Sequence, residues 1–198
     1  MSNKKFRIRC SAIGEIMGAS RTKDPLSKTA QSYLQKWMKD EAFGFSIPLD
    51  NKFVRKGNEM EPKALEWMGC DKHVTSYEND ILTGTPDTID GETVRDVKCS
   101  WDHTTFPMYD TACPNKQYWW QLQGYMILTG CRQASLDYFL FSYEDLNYDH
   151  IPMEKRHKRF EIEYDPTAEA KIREKVEQCQ AYVDEHWVDL GRVELDEF

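Results

Sequence analysis

The stretch TGTPDTIDGETVRDVKCS, residues 83–100, sets Asp87, Asp96 and Lys98 into segments that otherwise alternate like β-strands. Two strand-like runs, Ile81 to Ile89 and Glu92 to Ser100, flank Asp90-Gly91. That pair is a strong hairpin signal, because a type I′ turn needs positive φ at both central residues. The turn predicts Ile89 opposite Glu92, Thr88 opposite Thr93 and Asp87 opposite Val94. Residues opposed across a ladder share a face, and so do alternate residues along a strand. Asp87, Val94, Asp96 and Lys98 are therefore expected on one side of the sheet, with the Cβ atoms of Asp87 and Asp96 about 7–8 Å apart on a diagonal. Two carboxylates leaning over such a gap can share a divalent cation, whose bonds to oxygen are about 2.0–2.6 Å long. A register slip of one residue would turn Asp87 to the opposite face.

Taken singly, Asp87 also fits a turn after Pro86, and Asp96 and Lys98 fit a solvated strand face. As a set they fit that reading less well. Ile81, Leu82 and Val94 read as interior, and charges beside interior residues must be paired or bound to metal. A predicted helix over 55–68 adds a third acid. Glu61, Ala64, Leu65 and Met68 share a stripe at i, i+3, i+4, i+7, which puts Glu61 on the core-facing side. A cation would satisfy it there, as would a salt bridge to Lys56 or Arg55.

Outward from these segments, the periodicity predicts helices over 11–18 and 27–40, a loop over 41–52 broken by Gly44 and Pro48, and a short strand near 73–77. A polar loop (102–115) leads to an amphipathic helix, Lys116 to Thr129, stopped by Gly130. Strands at 134–143 and 159–164 and a last helix to about Val188 follow, with Pro166 in that helix's first turn. The order predicts an α/β protein of the mixed α+β kind: one domain over 1–198, with a small mixed central β-sheet flanked by helices on both sides.

At 198 residues, 40% hydrophobic and 30% charged, the chain is too apolar for a disordered protein and too polar for a membrane one. The start, MSNKKFRIRC, lacks the apolar core of a secretory leader, so a cytoplasmic protein with no membrane contact is expected. The six cysteines are scattered without CxxC or paired Cys/His spacing, so neither zinc nor an iron–sulfur cluster is expected. A net charge of −8 argues against a general nucleic-acid coat protein. Basic residues still cluster at Lys4, Lys5, Arg7 and Arg9, at Lys52, Arg55 and Lys56, and at Lys155, Arg156, Lys158 and Arg159, so an acidic exterior with one basic groove remains compatible.

GTPDTI followed by RDVK resembles the PD-(D/E)xK nuclease signature. RKGNEMEPKALEWMG resembles the preceding helix in the phage recombination branch of that superfamily, with Gly57, then Glu61 and Ala64. YWWQLQGYMILTG resembles the helix after the DxK strand, with Gln121 and Gln123 as its Q-x-Q core. The set is similar in order and spacing to lambda-exonuclease-like, or YqaJ-like, viral recombinases, over roughly residues 10–143.

The resemblance implies a restriction-endonuclease-like core and a 5′→3′ exonuclease on double-stranded DNA ends, leaving single-stranded overhangs for phage-type homologous recombination. It implies Mg²⁺, with Mn²⁺ able to substitute, held by Glu61, Asp87, Asp96 and the carbonyl of Val97. Lys98 would orient the attacking hydroxide and meet developing charge, and Gln121 would position that water or a phosphate oxygen. Arg7, Arg9 and Ser11 are candidates for a 5′-phosphate pocket. Trp101, His103, Trp119 and Trp120 are candidate stacking surfaces. A ring-shaped homo-oligomer (trimer or tetramer), a single-strand annealing partner and a phage or prophage origin in a bacterial host are implied as well. Three other readings stay open: a metal-dependent endonuclease of the same superfamily, a DNA-binding protein with an inactive nuclease fold, and an ordinary α/β domain whose acidic cluster binds a structural cation. The intact set Glu61, Asp87, Asp96 and Lys98 speaks against the second.

Overall fold

In the computed structural model, which describes residues 4–191, the chain runs β1 (Ile8–Arg9), α1 (Ile13–Ile16), α2 (Lys28–Phe43), α3 (Lys52–Met68), β2 (Tyr77–Glu78), β3 (Leu82–Gly84), β4 (Thr88–Asp90), β5 (Thr93–Cys99), α4 (Lys116–Thr129), β6 (Gln133–Phe139), β7 (His157–Glu163) and α5 (Ala168–His186). Short polar side chains open three of the helices. Ser27 accepts from the Ala30 N–H, Asn51 from those of Phe53 and Val54, and Asn115 from that of Gln117. Gly69 and Gly130 close α3 and α4 in the left-handed conformation, as their sequence positions predict. Helix α3 starts earlier than expected because Asn51, not the basic run after it, supplies the cap. The expected helix over 11–18 is a 3-10 turn, Cys10–Ala12, running into the single turn of α1. Pro166 precedes α5 rather than lying inside it; Asp165 Oδ1 accepts from the Thr167 N–H at 2.8 Å and forms the turn into the helix.

The strands form two sheets, β1-β3-β2 and β4-β5-β6-β7. Pairing of β5 with β6 is parallel, Val97 against Asp137, and β4 and β7 run antiparallel on either side. The mixed sheet flanked by helices is thus as expected, but the run read as one strand from Ile81 to Ile89 divides at Thr85-Pro86-Asp87. Its first half joins the small sheet and its second half the large one. Pro86 has no N–H to give a ladder, which suits a break there.

The hairpin register also differs. Asp90 faces Thr93, Ile89 faces Val94 and Thr88 faces Arg95, so the two-residue loop is Gly91-Glu92. Gly91 has φ +59° and Glu92 is not left-handed, which is the pattern of a II′ turn with glycine first rather than of I′. Asp90 remains a strand residue, and its carboxylate meets Arg95 Nη2 at 2.7 Å. The correction moves Asp87 from opposite Val94 to opposite Asp96. The opposed partner moves along by two positions, so every side chain keeps its face.

Alternation along β5 and β6 then sets two layers. Val94 and Leu136 face the main core with Leu122 and Met126 of α4. Val97 and Phe139 face the other way and pack on Ala64 and Leu65 of α3. The large sheet is therefore sandwiched between α4 and α3. Helix α1 crosses α4 so closely that a Cβ on Gly14 would lie 2.9 Å from the Gln117 Cα. That neighbour is backbone and cannot swing aside. Gly14→Ala is expected to lower the unfolding free energy by about 1–3 kcal/mol, measured by urea denaturation; an unchanged midpoint would show that the two helices separate freely.

Candidate active site

Because β4 ends at Thr88, the edge of β5 beyond Arg95 has no strand partner. Asp87 fills that edge. Its Oδ2 accepts from the Val97 N–H at 2.7 Å, while its own carbonyl accepts from the His73 N–H at 2.8 Å. The N–H and C=O of one strand residue point to the same side, so the Val97 carbonyl is directed toward Asp87 as well. Glu61, Asp87, Asp96, Val97, Lys98 and Gln121 all line one cavity of about 850 Å³, with Ser11 on its wall. Every proposed catalytic and metal-ligating residue is thus brought together.

Asp96 sits between sheet and α4 and is only 1% exposed. Gln121 Nε2 donates to its Oδ1 at 2.7 Å and contacts the Tyr125 hydroxyl at 3.2 Å. Asp96 Oδ2 lies 2.5 Å from Lys98 Nζ, and that ammonium lies 4.8 Å from the centre of the Tyr118 ring. Glu61 Oε1 lies 2.8 Å from Lys72 Nζ, not beside Lys56 or Arg55. Lys56 is turned inward, donating to the carbonyls of Trp101 and Phe141 and pinning α3 over the ends of β5 and β6. Arg55 reaches Asp50 instead. Lys72 pairs with an acid of the cavity but lies in an irregular segment, where no periodicity could point to it.

Burial raises the Asp96 carboxyl above the ordinary range despite the neighbouring Lys98. Burial, then the charge of Asp96, pushes Asp87 up to about 7. Burial pulls Lys98 down, but Asp96 and Asp87 outweigh it and leave the amine raised, hence protonated at neutral pH. Asp137, on the other face of the same sheet, makes the contrast. It is also fully buried, yet it accepts from Ser135 Oγ at 2.6 Å and Arg159 Nε at 2.7 Å and lies 2.7 Å from His157 Nε2. Burial pushes that carboxyl up, but these hydrogen bonds prevail and hold it below the ordinary value. Asp137 is satisfied by the fold; Asp96 is not.

Two buried oxygens, Glu61 Oε1 and Asp96 Oδ2, touch an ammonium at ion-pair distance but receive no directed hydrogen bond. Among the described residues no three His, Cys, Asp or Glu side chains converge tightly enough to enclose an ion, because each acid is turned onto a nitrogen. The donor set is nevertheless of hard oxygens, which suits Mg²⁺. Exchange of ammonium for cation at Glu61 and Asp96 would free two of those donors.

Other expectations land differently. Arg7 pairs with Glu78 at 2.8 Å and Arg9 reaches the Tyr33 hydroxyl, so of the phosphate-pocket candidates Ser11 borders the cavity and the arginines do not. Trp101 lines the cavity, edge-on to Phe53 at 5.2 Å and beneath Lys52 at 4.4 Å. Trp120 is buried against Trp119, and the His103 N–H donates to the Tyr148 hydroxyl. Gln121 orients Asp96 rather than standing free, and Gln123 is fully buried, bridging the Glu163 carbonyl and the Asp165 N–H.

The chain superposes on a phage-related exonuclease from Haemophilus somnus 129PT with a TM-score of 0.80 and 28% identity, over 92% of this chain and 95% of that one. This is a lambda-exonuclease-like, PD-(D/E)xK nuclease fold. An alkaline exonuclease from Laribacter hongkongensis shares it at a TM-score of 0.70 and 18% identity, over 90% and 88% of the two chains. The same enzyme in complex with dAMP gives 0.71. No protein-family model and no curated protein matches the chain. No helix among the described residues is long and apolar enough to cross a membrane.

In this nuclease fold the site itself costs stability. A carboxyl raised to about 7 favours folding below about pH 4, where it is protonated in both states, and loses that advantage as pH rises to about 7. Asp87→Asn keeps an acceptor for the Val97 N–H and removes the half-buried charge. The variant is expected to melt a few degrees higher than the parent at pH 8 without metal, and the gap to shrink toward pH 4. Thermal melts across that range in a chelator check this; equal melting temperatures at pH 8 would mean that Asp87 carries no such strain.

Proposed function

We propose that the chain is a Mg²⁺-dependent deoxyribonuclease, an exonuclease that resects double-stranded DNA ends 5′→3′ and leaves single-stranded overhangs for phage-type recombination. The observation that carries this reading is the convergence of Glu61, Asp87, Asp96, Val97, Lys98 and Gln121 on one cavity. The fold is the one shared with the phage-related exonuclease over nearly the whole of both chains. Mn²⁺ would substitute for Mg²⁺. A ring of identical subunits and a single-strand annealing partner belong to the same proposal.

The chemistry that a divalent ion would supply here is acidification of water and neutralisation of charge on the scissile phosphate. Glu61, Asp87, Asp96 and the Val97 carbonyl are the residues that would hold it. Gln121 fixes the Asp96 carboxylate through its Nε2 donor, so that acid presents a set orientation. Lys98 keeps its protons on Nζ, because Asp96 and Asp87 raise its pKa. As an ammonium it would act as a donor, orienting the nucleophile and stabilising negative charge developing on a phosphate oxygen. Tyr118 lies against that ammonium and restricts its swing.

Linear duplex labelled at the 5′ or the 3′ end, digested with and without Mg²⁺, tests the reading. Release of 5′ mononucleotides with the ion and none in a chelator is the expected result. Cutting of closed circular duplex would make the chain an endonuclease, and no cleavage with Mg²⁺ or Mn²⁺ would make it an inactive nuclease fold. Lys98→Ala is expected to lose about 10²–10³ in rate, and Asp96→Asn to abolish cleavage, with both variants still melting cooperatively. Cleavage at the parent's rate in either would remove the assignment.

A further inference from the structure

Helix α3 turns two faces to different surroundings. Lys56, Met60, Ala64 and Leu65 are buried, whereas Val54, Gly57, Asn58 and Glu61, at i, i+3, i+4 and i+7, line the active-site cavity. Gly57 is the anomaly on that second face. An interior helical glycine is destabilising relative to alanine, so its presence needs a reason. Its φ is not left-handed, which removes a conformational one. A Cβ built on it would meet nothing within 4 Å, which removes a packing one. By contrast, Gly14 of α1 and Gly124 of α4 would each drive a Cβ into a neighbour at 3.0 Å or less. The free protein gains nothing from glycine at position 57.

We propose that the cavity face of α3 is the surface along which the sugar–phosphate backbone of the DNA strand lies, with Gly57 the point of closest approach. A missing Cβ lets a ligand reach the helix backbone, and Gly57 opens onto the cavity one turn before Glu61. The stripe from Val54 to Glu61 is about 10 Å long, against a rise of about 3.4 Å per nucleotide along one strand. It therefore matches a strand rather than a single phosphate. The Asn58 amide has no hydrogen-bond partner among the described residues and stands beside Gly57 as a donor for a phosphate oxygen. Ser11, whose hydroxyl is likewise unbonded among the described residues, offers a second donor on the cavity wall. This inference rests on the nuclease reading and adds where the strand runs.

The test compares Gly57→Ala with glycine at 57. Binding of a labelled duplex end is read by fluorescence anisotropy in the Asp96→Asn background, where cleavage is silent. Thermal melting and cleavage are read in the otherwise unchanged chain. The alanine variant is expected to melt a few degrees higher, to bind duplex at least tenfold more weakly and to raise KM for the linear duplex; Gly57→Ser is expected to weaken binding likewise. Binding and cleavage equal to the parent's would overturn the proposal. So would a lower melting temperature, since it would give the glycine a role in the fold. A parent chain that cuts DNA beside an alanine variant that cuts equally well sinks this inference alone. A parent chain that neither binds nor cuts DNA sinks the nuclease reading with it.

Discussion

The Val97 N–H points off the edge of β5 where β4 has already ended, and a backbone donor left unpaired in a protein interior is costly. Asp87 satisfies it with a carboxylate oxygen at 2.7 Å. That bond fixes the TPD turn against the DVK strand and carries the Val97 carbonyl to the same side. It also holds Asp87 close enough to Asp96 for the charge of Asp96 to oppose its ionisation. Helix α3, packed on the opposite face of the sheet through Ala64 and Leu65, brings Glu61 to the same cavity. The short β4 is thus what makes room for this acidic cavity between two covered faces.

The sheet carries two buried aspartates under opposite regimes. Asp137 is enclosed by three partners and held ionised, and it helps fasten β6 to β7. Asp96 has Gln121 and one lysine, and its carboxyl is raised. Under-satisfied buried charge destabilises a fold unless a ligand completes it. The shortfall sits at Asp96, whereas Lys56, Gln123 and Asp137 each make two or more hydrogen bonds. Lys72 and Lys98 pair with Glu61 and Asp96 and soften that cost without removing it.

Much of the site was legible because its chemistry is local. Asp87, Asp96 and Lys98 lie within one hairpin, where the period of two assigns the face even though the register was read two positions off. Glu61 was legible from the period of its helix. The partners were not. Lys72 lies in an irregular stretch, and Lys56, which reads as an exposed helix charge, is buried because the loop carbonyls of Trp101 and Phe141 converge on it. Trp119 and Trp120 looked as suitable for stacking as Trp101, and nothing but packing separated them.

From sequence alone follow the order of helices and strands, the caps and glycine stops, and the set of charged residues sharing one face, because each depends on spacing along the chain. The division into two sheets, the II′ turn with Asp90 kept in the strand, the roles of Gln121 and Gln123, and the open face of α3 at Gly57 were settled by tertiary structure. Those features depend on which segments meet across long separations, where no periodicity reaches.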